Sequence, residues 1–378
     1  MGFVWPSDEA LHTSHRPSET CPTSLNRCTE RTSSSSIRSY PRTVMKRTQT
    51  LGALAALISV LVVAFFPSDP GAQGDPPPAV VAHGSGRIGV YLTSYALTKR
   101  EVVEGIFTAR SAGKIDTVVI NVKNMHGELT YSSAVPLAKT LHASTGRLDL
   151  GALIPVLHEY GFYVIARQVL FYDPLLSSHL GLVENWVPVD NAVATAYNLA
   201  IAEEVASLGF DELQFDYIRY ADAGSLESVY DVRYAAVDRF LAEARQRLAH
   251  RIALSADLFG RVLWPWNQRR IDPIGQSLEQ ISAHIDYISP MLYPSHYSEQ
   301  VYRDDPYRVV SEALSSGKRR VSSSFRPFLQ AFDMDLPPGM TLETYIEEQV
   351  RAAKQAGADG YLFWHPACEY DSLYRALH

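Results

Sequence analysis

Short runs of β-branched and aromatic residues alternate with amphipathic segments from residue 87 to the end of the chain. The runs with strand character are Arg87–Tyr95, Thr117–Lys123, Phe162–Phe171, Glu212–Tyr220, Arg251–Gly260, Ile285–Pro294, Arg320–Phe328 and Gly360–Pro366. Several are continuously apolar, as a strand buried on both faces requires. Helical patterns separate them at Lys99–Ala112, Leu150–Tyr160, Ala192–Leu208, Glu227–Ala249, Pro273–Ala283, Pro306–Ser315 and Leu342–Ala356. Eight such units in about 290 residues predict an α/β fold of the (β/α)8 barrel type.

A doubly wound sheet that binds nucleotides is the competing α/β architecture. Such a sheet usually carries a glycine-rich phosphate loop after its first strand. Here the first strand run ends in Leu92-Thr93-Ser94-Tyr95, without GxGxxG, and no GxxxxGK[ST] motif occurs in the chain. The absence of both motifs favours the barrel.

The first 74 residues differ in composition from the rest. Residues 1–44 are rich in Ser, Thr, Arg and Pro and lack apolar periodicity, which predicts disorder or a translated segment upstream of a true start at Met45. Residues 45–74 have the three parts of a secretory signal peptide: a basic start, an apolar stretch at 51–66, and a small, turn-rich end. The protein is therefore expected to be secreted or associated with the cell envelope.

The apolar stretch at residues 51–66 is short for a membrane span. Sixteen residues of helix extend about 24 Å, whereas the hydrocarbon core is about 30 Å thick. Cleavage before Asp75 is therefore preferred, and an uncleaved anchor that attaches the protein to a membrane is the alternative. Residues 75–86 are expected to be an extended linker, and residues 87–378 the barrel domain.

Composition excludes several functional classes. The chain has 34 Lys and Arg against 41 Asp and Glu, a net charge of −7, so nucleic acid is not an expected partner. Its three cysteines lack the spacing of a zinc or iron–sulfur site, and no histidine or acidic motif has metal-ligand spacing. No Gly-x-Ser-x-Gly elbow is present. We therefore expect no cofactor or metal, and chemistry based on carboxylates, His, Tyr or Arg.

Two aspartates stand where a barrel places its chemistry, at the carboxyl ends of strands. Asp216 ends the fourth strand run and Asp257 the fifth. Adjacent strands lie about 4.8 Å apart, which suits the paired carboxylates that glycoside hydrolysis requires. Both residues are therefore candidate catalytic groups. The alternative for Asp216 is a structural ion pair with Arg219 or Lys123.

A sugar site also needs aromatic rings for stacking and planar polar groups for hydroxyls. Residues of these types gather at the same strand ends and in the Trp264-Pro265-Trp266 segment, which we expect to form a cleft wall. The candidate substrate-binding residues are Tyr91, Asn121, Lys123, Arg167, Gln168, Gln214, Tyr217, Arg219, Trp266, Tyr293, Arg326 and Trp364.

Three segments together resemble a bacterial family of exported glycoside hydrolase-like barrel domains with poorly defined substrates. These are Gly-Val-Tyr-Leu-Thr at residues 89–93, Gly-Phe-Asp-Glu-Leu-Gln-Phe-Asp-Tyr-Ile-Arg-Tyr at 209–220, and Ser-Pro-Met-Leu-Tyr-Pro at 289–294. The resemblance covers about residues 86–376 and implies a (β/α)8 barrel that acts on glycans.

More distant similarities concern the fourth strand. Leu-Gln-Phe-Asp-Tyr-Ile-Arg-Tyr is similar to the corresponding motif of α-amylase-type barrels, which implies a nucleophilic role for Asp216 and sugar contacts for Arg219 and Tyr220. The Arg of that motif is replaced by Gln214, and the acid on the fifth strand is the shorter Asp257. Chitinase-type barrels are also similar, but their acidic Glu falls at a position occupied here by isoleucine, so their mechanism is not implied.

The sequence thus predicts an exported glycoside hydrolase that cleaves a polysaccharide or oligosaccharide. The alternative is a barrel at the cell surface that binds glycans without cleaving them. The separation of Asp216 and Asp257 discriminates between the two, because carboxylates more than about 10 Å apart exceed the span of a hydrolytic pair.

Overall fold

The computed structural model describes residues 86–248 and 251–378. The predicted upstream segment and signal peptide, and the linker up to residue 85, lie outside these residues. None of the helices in the described ranges combines the length and apolar character that a bilayer-spanning helix needs.

The described residues contain a closed sheet of parallel strands. The strands are β1 (Arg87–Leu92), β2 (Thr117–Lys123), β3 (Tyr163–Val169), β4 (Glu212–Asp216), β5 (Ala253–Phe259), β6 (Tyr287–Met291), β7 (Ser324–Phe325), β8 (Phe328–Gln330) and β9 (Gly360–Trp364). Neighbours pair in the order β5-β4-β3-β2-β1-β9-β8-β6-β7, and β5 also pairs with β6, which closes the ring. Since β7 and β8 both pair with β6, they share one position. The predicted (β/α)8 barrel is confirmed.

Helices surround the sheet. In the described ranges they are α1 (Arg100–Ser111), α2 (Pro136–Thr140), α3 (Leu150–Glu159), α4 (Pro174–His179), α5 (Ala192–Val205), α6 (Asp231–Leu248), α7 (Leu278–Ser282), α8 (Gln300–Arg303), α9 (Pro306–Lys318), α10 (Leu342–Gln355) and α11 (Asp371–Ala376). Short 3₁₀ helices lie at Ala96–Thr98, Gly260–Leu263, Pro265–Arg269 and Pro294–His296. Each of the seven predicted helical segments contains a helix, with caps setting the ends. For example, the Asp149 side chain accepts from the Ala152 N–H at the start of α3.

Alternation along β4 explains how the barrel presents polar groups. Phe215 points outward, where its ring packs 5.8 Å from that of Phe240 on α6. The alternate residues of β4, which are Glu212, Gln214 and Asp216, face the barrel interior. There Glu212 forms an ion pair with Arg326, and both side chains are fully buried. The hydroxyl of Tyr163 also donates to Glu212, at 3.0 Å. The barrel interior below the mouth is therefore a buried polar layer that contains an ion pair, although Gln214 Oε1 and Ser255 Oγ in the same layer have no hydrogen-bond partner in the described residues.

Several strands end earlier than their apolar patterns predict. β1 stops at Leu92 because the Thr93 hydroxyl accepts from the Ala96 N–H at 2.9 Å and begins a 3₁₀ turn. The seventh strand run is interrupted at Arg326 and Pro327, where proline has no N–H for the ladder. These early ends matter for function, because the residues just beyond them form the loops around the barrel mouth.

Candidate active site

A cavity of about 560 Å³ opens at the carboxyl ends of the strands. This is a volume typical of small-molecule and sugar sites. Asp216 and Asp257 both line it, and they are the carboxylate side chains in its wall. The barrel therefore brings the two predicted catalytic residues into one cavity.

Asp216 is held in place by an arginine and a backbone amide. Its carboxylate is nearly buried, at 5% exposure. Arg167 Nε donates to Asp216 Oδ2 at 3.0 Å, and Arg167 Nη2 donates to the same oxygen. The Tyr217 N–H donates to Asp216 Oδ1 at 2.6 Å. Both oxygens thus have fixed donors, which sets the orientation of the carboxylate.

Asp257 lies beside this ion pair in a different electrostatic state. It is 2% exposed, and its Oδ2 lies 3.7 Å from Arg167 Nε. Burial, together with the neighbouring negative charge of Asp216, raises the pKa of Asp257 well above its ordinary value, and Arg167 opposes this rise only in part. Asp257 therefore favours the protonated form.

Arg167 sets an upper limit on the separation of the two carboxylates. One oxygen of Asp216 lies 3.0 Å from Arg167 Nε and one oxygen of Asp257 lies 3.7 Å from the same atom. The two oxygens are no farther apart than the sum of these distances. The separation is therefore well within the ~10 Å limit set for a hydrolytic pair.

A hydrogen-bonded chain supports Arg167 from the side of β1 and β2. Arg167 Nη1 donates to Asn121 Oδ1 at 2.7 Å, and Asn121 Nδ2 donates to the Tyr91 hydroxyl at 2.6 Å. The Arg167 guanidinium also lies over the Tyr91 ring, 5.3 Å from its centroid. All three residues, which the sequence predicts to bind substrate, line the cavity.

Aromatic side chains form two parts of the wall. Trp364 stacks on Tyr293 with ring centroids 5.5 Å apart, and Phe332 contacts its edge. Elsewhere in the wall, Tyr217 lies 5.8 Å from the Trp186 ring. Its φ of 51° is unusual for a residue with a side chain and directs the chain away from β4 immediately after Asp216.

Two of the predicted substrate-binding residues on neighbouring strands, Lys123 and Gln168, do not line the cavity. The β2–β3 register shifts between Asn121 and Lys123, so the side chains there no longer alternate regularly between the interior and the outer face of the barrel. Lys123 is fully buried and its Nζ contacts Asp173 at 2.7 Å. Gln168 Nε2 donates to the Asn198 carbonyl of α5 at 2.9 Å. Both side chains bind the surrounding loops and helix rather than the cavity.

Three further residues that were predicted to bind substrate also lie away from the cavity. They are Gln214, Arg326 and Trp266. Gln214 is fully buried inside the barrel and donates to the Ser289 hydroxyl at 3.2 Å. The Arg326 guanidinium forms an ion pair with the buried carboxylate of Glu212. The Trp266 segment folds outside the mouth, where Arg320 donates to the Trp264 carbonyl at 2.8 Å. The expected tryptophan wall is therefore not part of this cavity.

Sequence reasoning missed cavity residues that lie in loops rather than on strands. Lys99 follows the first strand, Met125 and His126 follow the second, and Arg147 lies shortly before α3. The preference for polar residues after barrel strands is a signal for Lys99 and His126, but nothing local marks Met125 or Arg147. Among the described residues, no group of three His, Cys, Asp or Glu side chains is arranged to hold a metal ion.

Solved structures of low sequence identity share this fold. The glycoside hydrolase domain of PgaB (BpsB) from Bordetella bronchiseptica is 13% identical, with a TM-score of 0.59 over 78% of this chain and 98% of that one. The C-terminal domain of a chitinase-like protein from Desulfitobacterium hafniense is 12% identical, with a TM-score of 0.53 over 77% and 98%. The spore cortex-lytic enzyme SleL of Bacillus cereus is 12% identical, with a TM-score of 0.52 over 78% and 74%.

The comparison with curated proteins found no match. The model of the family described as "Putative glycosyl hydrolase domain" matches residues 89–370, which include every barrel strand except the first two residues of β1. This range contains both aspartates, Arg167 and the aromatic residues of the cavity. The match covers most of the chain and agrees with the family resemblance of the three sequence motifs described above. The protein therefore belongs to this glycosyl hydrolase domain family.

Proposed function

We propose that the protein is an exported glycoside hydrolase that cleaves a polysaccharide or oligosaccharide through Asp216 and Asp257. The observation that carries the proposal is the pair of aspartates around Arg167 in an aromatic-walled cavity at the barrel mouth. Membership of the glycosyl hydrolase domain family and the fold shared with the PgaB domain support a carbohydrate substrate.

The two carboxylates take different roles in this mechanism. Asp257, protonated because of its raised pKa, donates its proton to the oxygen of the departing sugar. Asp216, ion-paired with Arg167, attacks or stabilises the anomeric carbon as positive charge develops there. Once the leaving sugar has departed, deprotonated Asp257 accepts a proton from the water that completes hydrolysis. Arg167 keeps Asp216 oriented throughout.

Glycan binding without cleavage is the second candidate function. The observation in its favour is the deep burial of both carboxylates, at 5% and 2% exposure, which limits how far either can reach toward a glycosidic oxygen. In that case the aspartates hold Arg167 and shape the cavity. Turnover by the purified barrel domain separates the two functions.

Substitution of each aspartate tests the assigned roles. Asp216→Asn is expected to abolish turnover of all substrates. Asp257→Asn is expected to slow natural glycosides by about 10²–10⁴-fold but to spare substrates with activated leaving groups, which need little protonation. Azide is expected to restore part of its activity. Wild-type activity should fall as pH rises through the raised pKa of Asp257, because the acid then loses its proton.

Reducing-end release from a polysaccharide panel and from aryl glycosides provides the measurement. The control is Asp304→Asn, which replaces an exposed carboxylate that accepts a hydrogen bond from Gln300 Nε2 on α8 at 2.6 Å, and it should behave as wild type. The roles are contradicted if Asp257→Asn slows both substrate types equally, or if Asp216→Asn keeps more than about 1% of activity.

A further inference from the structure

Arg219 differs from the other buried arginines of the described residues in forming no ion pair, and Asp216 and Asp222 act on its charge only from a longer distance. Arg219 is 6% exposed, Arg261 3% and Arg326 0%, and the Arg320 side chain is 6% exposed and pairs with Glu279. Arg261 forms ion pairs with Asp222 and Asp272, and Arg326 pairs with a buried glutamate. No carboxylate within residues 86–248 and 251–378 lies within 4 Å of the Arg219 guanidinium. A buried charge without a partner costs stability and calls for an explanation.

The guanidinium of Arg219 is held by aromatic rings instead. Its central carbon lies 4.4 Å from the ring centroids of Trp186 and Phe259, and 5.1 Å from that of Tyr217. Nη1 donates to the Tyr220 carbonyl at 3.2 Å, which uses one of five N–H donors. Burial lowers the pKa of Arg219 to about 10, so the group stays charged at neutral pH. Arg219 also lines the cavity, and no hydrogen bond within the described residues uses its remaining N–H donors.

Two further cations of the cavity also lack ion pairs in the described part of the chain. Lys99 Nζ lies 5.1 Å from the centroid of the Tyr95 ring, and Arg147 Nη1 donates to the Ser94 hydroxyl at 2.9 Å. Both residues line the same cavity as Arg219. The chain as a whole carries a net charge of −7. The excess positive charge is therefore local to the cavity.

We propose that this cavity binds an acidic glycan and that Arg219 binds an anionic substituent of a sugar, a carboxylate or a sulfate ester. The proposal deepens the glycoside hydrolase function proposed above and rests on it for the sugar. A planar guanidinium fork matches two oxygens of either group, and the surrounding rings exclude water that would weaken the contact. Lys99 and Arg147 then attract further negative charge along the same polymer. Neutral glycans offer these three cations hydroxyl acceptors but no negative charge to balance them.

Paired polymers test the proposal directly. Polygalacturonate, alginate and hyaluronan are each compared with their carboxyl-reduced forms, and chondroitin sulfate with its desulfated form. The wild-type domain is expected to bind at least one charged polymer about tenfold or more tightly than its neutral counterpart, and added salt should weaken that binding. The carboxyl-reduced and desulfated arms show which anionic group Arg219 recognises.

Variants of Arg219 distinguish a binding role from a structural one. Arg219→Met keeps an elongated side chain between the rings but removes the charge. It is expected to raise KM or Kd for the charged polymer about 10- to 100-fold with little change in kcat, and to leave the neutral polymer unaffected. Arg219→Lys should recover part of the loss. The control is Arg351→Met, which removes a guanidinium stacked on Tyr307 at an exposed site.

Each outcome either supports or overturns the inference. Selective loss of acidic polymer binding in Arg219→Met supports it, even if no polymer is hydrolysed and the proposed hydrolase function fails. Equal binding of charged and neutral polymers, or no affinity for any acidic polymer, overturns it, and hydrolysis of a neutral glycan would then leave the hydrolase proposal standing. If Arg219→Met does not fold, the proposal is tested on the wild-type protein, by its preference for charged over neutral polymers and by the weakening of that binding in salt.

Discussion

At the scale of single residues, Arg167 contacts both candidate catalytic carboxylates, Asp216 and Asp257. It donates to Asp216 and approaches Asp257 with the same nitrogen. One positive charge cannot balance two buried carboxylates, so one of them retains a proton. That asymmetry comes from burial and proximity, and it is the reason that the proposed mechanism gives the acid role to Asp257.

Two tryptophans that were predicted to contact sugar provide a test variant and its control, because only one of them lines the cavity. Trp364 lines the cavity and stacks on Tyr293, whereas Trp266 is partly buried outside it. Trp364→Ala is expected to weaken oligosaccharide binding by about 1–3 kcal/mol, since a ring that excludes water from the sugar is lost. Trp266→Ala should leave the affinity unchanged.

Titration calorimetry with a bound oligosaccharide measures both affinities, and tryptophan fluorescence gives a second signal that Trp364→Ala should lose. If the two substitutions weaken binding equally, the cavity is not the sugar site.

Among the structural elements, the junction of β1 and β9 joins the first and last strands of the barrel and depends on a glycine. Gly360 pairs with Arg87 and has a φ of +94°. A Cβ at this position would lie 2.1 Å from the Arg87 carbonyl oxygen. Only glycine allows the two backbones to approach this closely while keeping that dihedral angle.

Gly360→Ala is therefore expected to reduce the free energy of unfolding by about 2–5 kcal/mol, through backbone strain and displacement of β1. Gly113→Ala is the control, because Gly113 also has a positive φ, +70°, but nothing lies within 4 Å of its Cβ position. Its expected cost is about 1–2 kcal/mol. Denaturant unfolding monitored by circular dichroism measures both, and equal losses would contradict a steric role at Gly360.

For the whole molecule, the combination of an acidic chain and a cationic cavity indicates where a charged substrate would be drawn. The net charge of −7 repels polyanions from most of the surface, while Lys99, Arg147 and Arg219 attract them at the barrel mouth. We also propose that this domain works outside the cytoplasm, on the basis of the signal-like residues 45–74.

Expression from Met45 tests export. The protein should be recovered outside the cytoplasm with a new N-terminus near Asp75, because residues 51–66 are too short to favour a permanent span. N-terminal sequencing of the exported and cytosolic fractions provides the measurement. Recovery of chain that begins at Met45 in the cytosol would contradict export.

Local patterns in the chain were sufficient to predict the barrel and its two aspartates. Strand and helix periodicities repeat within each unit, so the alternation indicates the (β/α)8 fold without any long-range information. The placement of Asp216 and Asp257 in one cavity follows because parallel strands of a barrel all end at the same mouth. Tyr91, Asn121, Arg167, Tyr217, Arg219, Tyr293 and Trp364 line the cavity for the same reason.

The remaining features required the tertiary structure. The register shift that turns Lys123 away, the loop that carries Trp266 outside the mouth, and the glutamate that occupies Arg326 all depend on residues distant in sequence. The charge states do too, because the raised pKa of Asp257 and the unpaired charge of Arg219 result from burial and from neighbours on other elements. Periodicity determines which face of a strand a side chain takes, but only packing determines what it meets there and how much water remains around it.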